Sequence, residues 1–197
     1  MLTVILAGGA SRRMGRDKAT LPYRGTTLLQ YQIDRYRPLG SVAVSVARSG
    51  AYRFTDALEL VDRYPDAGPL NGILAGFSTG ASELLLTAVD LPYSDPALAL
   101  RLSALRGTAD ICMLRRGAKG VEPLFALYGS GCAVAAEACL RAGKRAMTEL
   151  LELCSVHYVL PEELPEFDLE RCLRNVNTPE DYTQLLREIR GENSAIF

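Results

Sequence analysis

The stretch "LTVILAGGASRRMGRDK" (Leu2–Lys18) decides how the chain is read. A short β-branched, apolar run ends abruptly at Gly8-Gly9, and four cations follow: Arg12, Arg13, Arg16 and Lys18. The run predicts a first strand that is buried on both faces. Glycines let backbone N–H groups approach an anion closely, and a loop of such groups forms an anion-binding concavity. Arginine and lysine then supply charge to phosphate oxygens, one as a planar fork and the other as a point charge. A tight turn followed by solvated cations fits the same spacing. Two familiar phosphate motifs fail outright. Adjacent Gly8 and Gly9 do not make G-x-G-x-x-G, and the Gly9-to-Gly15 interval is one residue too long for G-x-x-x-x-G-K-[ST]. A Walker-type NTPase and a nicotinamide enzyme are therefore disfavoured.

Beyond this stretch, strand-like and helix-like segments alternate to the end of the chain. Strands are expected at "SVAVSVA" (Ser41–Ala47), "LELVD" (Leu58–Asp62), "ELLLTAVD" (Glu83–Asp90), "ADICMLR", "EPLFALYG" and "SVHYVL". Helices are expected at "TTLLQYQIDRYRPLG", "GPLNGILAGFSTG" (Gly68–Gly80), "DPALALRLSALRG" (Asp95–Gly107), "SGCAVAAEACLRAG", "KRAMTELLELC" and "TPEDYTQLLREIR" (Thr178–Arg190). Asp95 and Pro96 form an N-cap and first turn. The pattern predicts an α/β fold, a three-layer α/β/α sandwich around a mostly parallel sheet. It predicts one domain over 1–190 and a frayed tail over 191–197. Ligands of such sheets bind beyond the carboxyl ends of the strands. That rule selects three places: Ala7-Gly8-Gly9, Asp62 and Asp90.

The net charge of −1 offers no global field for nucleic acid or an anionic membrane, so the cations after Gly9 are a local concentration. No apolar run approaches the roughly 20 residues a membrane helix needs, and the order of segments at the start is not that of a signal peptide. The expected location is the cytoplasm. The five cysteines form no C-x-x-C pair and read as buried thiols. The single histidine, His157, lies in a strand and reads as packing. No G-x-S-x-G nucleophile elbow is present.

"LAGGASRRMGRDKATLPYRG" resembles the signature loop of nucleotidyltransferases that build activated nucleotide conjugates. The tight R-M-G-x-D-K spacing is more typical of the molybdenum cofactor branch. "GPLNGILAGF" (Gly68–Phe77), "EPLFALY" (Glu122–Tyr128) and "NVNTPEDY" (Asn175–Tyr182) resemble later segments of the molybdenum cofactor guanylyltransferase family, in the expected order. The likeness spans essentially the whole chain.

The resemblance implies a Rossmann-like nucleotidyltransferase fold and transfer of GMP from GTP to the terminal phosphate of molybdopterin, with magnesium and release of pyrophosphate. It implies cofactor-donor or molybdoenzyme-maturation proteins as partners. It assigns catalysis to Lys18, Arg13 and Asp90. It assigns the nucleotide to Leu6, Ala7, Gly8, Gly9, Lys18, Asp62, Gly68, Pro69, Leu70 and Asp90, with Gly68, Pro69, Leu70 and Gly72 at the guanine end. The metal falls to Asp90 with Asn177 or Asn175, and an acceptor contact to Arg145 or Lys144. Cytidylyl-transferring relatives usually read L-A-A-G where this chain has Leu6-Ala7-Gly8-Gly9, so the resemblance favours GTP over CTP. The alternatives are a cytidylyl or other NTP transferase with a different phosphorylated acceptor, and a catalytically silent nucleotide-binding module that delivers cofactor.

Overall fold

The computed structural model describes residues 1–7, 14–117 and 120–194, with side chains as far as residue 189. Gly8, Gly9 and Arg13 thus lie outside the described residues, as do Ala195–Phe197 at the end of the expected tail.

The first strand, β1 (Leu2–Leu6), sits between two parallel neighbours, β4 (Ser41–Val46) and β6 (Glu83–Ala88). A short hairpin, β2 (Pro22–Tyr23) and β3 (Thr26–Thr27), and helix α1 (Leu28–Tyr36) connect β1 to β4. Strand β5 (Leu58–Val61) pairs beyond β4, and α2 (Pro69–Phe77) carries the chain back across to β6. After α3 (Pro96–Arg106) come β7 (Ile111–Arg115), β8 (Val121–Gly129), α4 (Cys132–Arg141), α5 (Met147–Leu151) and β9 (Val156–Val159). The chain closes with α6 (Leu169–Cys172) and α7 (Pro179–Ser194). The seven-stranded sheet runs β5-β4-β1-β6-β8-β7-β9, and β8 alone is antiparallel to its neighbours.

Strand alternation divides the core into two layers. Ile5, Val44 and Leu85 face α1, α3 and α7, while Val4, Ala43 and Leu86 face α2 and α4. The connection through α1 moves one way along the sheet from β1, and that through α2 returns the other way on the opposite face. A right-handed crossover requires that change of face. It leaves a crevice at the carboxyl end of β1, where the strand order reverses.

Close packing of α2 explains its glycines. A Cβ on Gly76 would lie 2.2 Å from Leu84 Cδ1 and 3.0 Å from Val4 Cγ2, and one on Gly72 would lie 2.6 Å from Leu6 Cδ2. The helix therefore rests its backbone on β1 and β6. Gly76→Ala should overpack this contact by about 1–3 kcal/mol, against about 1 kcal/mol gained in helix propensity. A net loss on the order of 1 kcal/mol is expected from urea unfolding; a stabilised variant would contradict the packing.

Most expected elements are present, with physically interpretable differences. Helix α5 is shorter than "KRAMTELLELC" suggests. It starts at Met147, where Glu149 accepts the Ala146 N–H at 3.0 Å, so Lys144 and Arg145 precede the helix. The hairpin and α6 were not expected, being too short for any periodic signal. Among the described residues, no helix is long and apolar enough to cross a membrane.

Candidate active site at the switch point of the sheet

The crevice gathers three side chains from distant parts of the chain. Lys18 stands at the start of a 3₁₀ turn (Lys18–Thr20) after β1. Its Nζ lies 3.2 Å from Asp90 Oδ2 and 2.6 Å from Asn177 Oδ1. Asp90 follows β6, and Asn177 precedes α7. The Lys18 and Asp90 side chains are mostly buried, at 13% and 24% exposed, so solvent screens the pair less than a surface ion pair.

Each member is held by local structure. Asp17 caps the lysine's turn, its Oδ1 accepting the Ala19 N–H at 3.0 Å. Helix α1 grips the turn after Asp90. Buried Gln32 donates through Nε2 to the Leu91 carbonyl at 2.7 Å, and Arg35 donates to the Pro92 carbonyl at 2.8 Å. The Val176 N–H donates to the Asp90 carbonyl at 2.8 Å, tying the Asn175–Asn177 segment to the end of β6. Asn177 therefore meets Lys18, whereas Asn175 is exposed.

Asn177 owes its place to a capping box. Asp181 Oδ2 accepts the N–H groups of Asn177 and Thr178, both at 2.8 Å, and Thr178 Oγ1 accepts the Asp181 N–H at 3.2 Å. The Asn177 and Thr178 N–H groups, aided by the Lys18 charge, hold the Asp181 carboxyl below its ordinary range. Stability from this group is present above the unfolded pKa and is lost as pH falls through the lower folded value. Asp181→Asn should cost about 0.5–1 kcal/mol at pH 7, as helix caps do. The difference from wild type should shrink as pH drops below about 3.9. Urea midpoints at the two pH values check this; a constant difference would contradict the box.

Asp62 follows β5, its N–H donating to the Val46 carbonyl at 2.8 Å. It accepts the Ser45 hydroxyl at 3.0 Å. Burial pushes its carboxyl up, and the Ser45 hydrogen bond partly opposes that shift. Three strand spacings separate β5 from β6, roughly 14 Å along the sheet edge. Asp62 and Asp90 cannot share one metal ion, and a ligand touching both must be extended.

Gly68 precedes α2 with φ +53°, a left-handed conformation suited to glycine, and Pro69 opens the helix. Leu70 is fully buried in the layer beneath α2, and Gly72 packs on Leu6. From these residues a ligand at the helix start would therefore meet backbone. Buried Asn71 braces the approach to the helix, its amide accepting from the Tyr64 N–H at 3.0 Å and donating to the Tyr64 carbonyl. Leu6 and Ala7 end β1 at the crevice. Arg145 reaches the connection between β5 and α2, donating to the carbonyls of Pro65 at 3.2 Å and Gly143 at 3.3 Å.

Sequence reasoning missed Asp17, Gln32, Asn71 and Asp181. The pattern Thr178-Pro-Glu-Asp181 is a visible capping signal, whereas Gln32 and Asn71 act through contacts that no local pattern encodes.

The donor set can be tested against a hard cation. Among the described residues, a carboxylate oxygen of Asp90 and an amide oxygen of Asn177 converge on the Lys18 ammonium, so these two oxygens already face a positive charge. No group of three or more His, Cys, Asp and Glu side chains suited to a metal occurs among the described residues. The set fits magnesium, which takes one or two carboxylates and completes its shell with phosphates and water.

A doubly wound, mostly parallel sheet with a polar cluster beyond its switch point defines a Rossmann-like α/β protein. The chain belongs to the MobA-like NTP transferase domain family, whose model matches residues 3–157. It is 34% identical over 189 residues to the probable molybdenum cofactor guanylyltransferase of Carboxydothermus hydrogenoformans, covering 94% of this chain and 95% of that one. It is 38% identical over 186 residues to the probable molybdenum cofactor guanylyltransferase of Opitutus terrae, covering 90% of each. Its structure is similar to that of molybdopterin-guanine dinucleotide biosynthesis protein A from Archaeoglobus fulgidus. The TM-score is 0.83 at 25% identity, covering 98% of this chain and all of that one.

Proposed function

We propose that this chain is a molybdenum cofactor guanylyltransferase, which transfers GMP from GTP to the terminal phosphate of molybdopterin and releases pyrophosphate in the cytoplasm. The meeting of Lys18 with Asp90 and Asn177 at the switch point carries this reading. In this reading a nucleotide bound beyond β1 presents its phosphates to this cation, carboxylate and amide oxygen. Relatives named as guanylyltransferases, aligned over nearly the whole chain, support the same reading.

In the proposed reaction, an oxygen of the acceptor phosphate attacks the α-phosphorus of GTP. The bond to the bridging oxygen breaks, and pyrophosphate leaves with the electron pair. A phosphate monoester has its second pKa near ~6, so the nucleophile is already largely dianionic at neutral pH. It needs position and charge screening, not a general base, consistent with a site that has no histidine. Lys18 and Arg13 neutralise charge that develops on the departing phosphates. Asp90 and Asn177 would hold magnesium, which supplies Lewis-acid stabilisation of phosphate oxygens. Gly8 and Gly9 give the phosphates close access to backbone. Asp62 serves the nucleoside end, which fits its separation from Asp90 along the sheet edge, together with the start of α2 at Gly68-Pro69-Leu70. Arg145 can exchange its two carbonyl partners for an anionic group of the acceptor.

A thermal-shift series with magnesium and GTP, CTP or ATP tests the nucleotide. Selective binding stabilises the native state by RT ln(1 + [L]/Kd), about 2.7 kcal/mol at a hundredfold excess over Kd. GTP should give the largest shift, and a larger shift with CTP would move the chain to a cytidylyl activity.

A further inference from the structure

Asp17 raises a question, because a carboxylate beside a phosphate-binding lysine repels the ligand unless its charge is used. Both its oxygens are engaged. Oδ1 caps the lysine's turn through the Ala19 N–H, and Oδ2 lies 3.0 Å from the Tyr52 hydroxyl. That hydroxyl also lies 3.0 Å from the Ala7 carbonyl, at the end of β1. One phenol therefore reaches both the end of the first strand and the base of the turn that carries Lys18.

Tyr52 comes from the connection between β4 and β5, and it is only 7% exposed. Its ring meets Phe54 edge-on at 5.8 Å. Glu59, on β5, fixes its backbone: Oε1 accepts the Tyr52 N–H at 2.7 Å and Oε2 accepts the Gly50 N–H at 2.5 Å. Those two N–H groups hold the Glu59 carboxyl below its ordinary range. A chain of contacts thus runs from β5 through Tyr52 to Asp17 and Lys18.

We infer that Tyr52 is a positioning residue for the transferase reaction, its hydroxyl holding the Asp17 carboxylate, and with it the Lys18 turn, beside the end of β1 so that the ammonium meets Asp90 and Asn177. This rests on the proposed guanylyltransferase activity. The hydroxyl has one proton for two acceptors, and the charged carboxylate draws it more strongly than the carbonyl. Burial, reinforced by the Asp17 charge, raises the phenol above its ordinary range, so it stays a donor. Removing it leaves Asp17 Oδ2 without this partner and the turn free to shift. A displacement of about 1 Å in a reacting group costs ~10²-fold in rate.

The test is Tyr52→Phe, which keeps the ring and removes the oxygen. With magnesium, GTP and molybdopterin, kcat should fall about 10–100-fold while the KM for GTP stays within about threefold. In a Lys18→Ala background the same change should cost almost nothing more, because Tyr52 acts through Lys18. Amide hydrogen exchange of Ala19 supplies a readout independent of turnover, and it should quicken about 3–10-fold as the cap loosens. Unchanged kcat, a full further loss in the Lys18→Ala background, or unchanged Ala19 exchange each overturn the inference. A wild-type protein that makes no product refutes the transferase reading instead, and the Ala19 exchange then decides the role of Tyr52 alone.

Discussion

Lys18→Ala should lower kcat by ~10²–10³-fold, the range for losing one preorganised stabiliser of developing charge. The ammonium stands between a carboxylate and an amide oxygen at the switch point. In the proposed reaction the leaving pyrophosphate gains charge that a neutral side chain cannot offset. The KM for GTP should rise less than kcat falls, because the interaction strengthens toward the transition state. The variant should still fold, since the side chain sits at the sheet's end and not in either core layer. Steady-state kinetics with a thermal melt separate these effects. Near-normal turnover would remove Lys18 from the machinery.

Asp90→Asn should be at least as damaging. It keeps the shape of the side chain but removes the carboxylate that meets Lys18, leaving the amides of positions 90 and 177 for a divalent ion. Lewis-acid stabilisation is worth several kcal/mol, so a loss of about 10³-fold at ordinary magnesium is expected. Raising magnesium should recover part of it, whereas GTP binding measured without magnesium should change little. Loss of turnover with an unaltered magnesium requirement would place the ion elsewhere. A silent delivery module would behave differently: it would bind GTP with or without Asp90 and turn over in neither form.

The fold was legible because its signals are local and repeated. Apolar β-branched runs such as Leu2–Leu6 and Ser41–Val46 alternate with capped helices, and the Asp95-Pro96 start of α3 appears as written, with Asp95 accepting the Ala97 N–H at 2.8 Å. The placement of Asp62 and Asp90 just past the ends of β5 and β6 was legible too, since the carboxyl-edge rule needs only the residues that follow each strand. Side-chain pairings across long sequence separations were not legible. Lys18 and Asn177 are 159 residues apart, and Tyr52 and Asp17 are 35 apart, so only the folded sheet brings them together. Gly72 shows the opposite limit. The resemblance assigns it to the guanine end, yet its position against Leu6 follows from packing alone. Short elements such as β2 and α6 escape periodicity because they are held by tertiary contacts and not by their own pattern.

Purified protein incubated with magnesium, GTP and molybdopterin should form molybdopterin guanine dinucleotide and pyrophosphate in equal amounts, measured together, and little of either with CTP or ATP. Neither product with GTP, or efficient transfer from CTP instead, would show that the chain is not a guanylyltransferase.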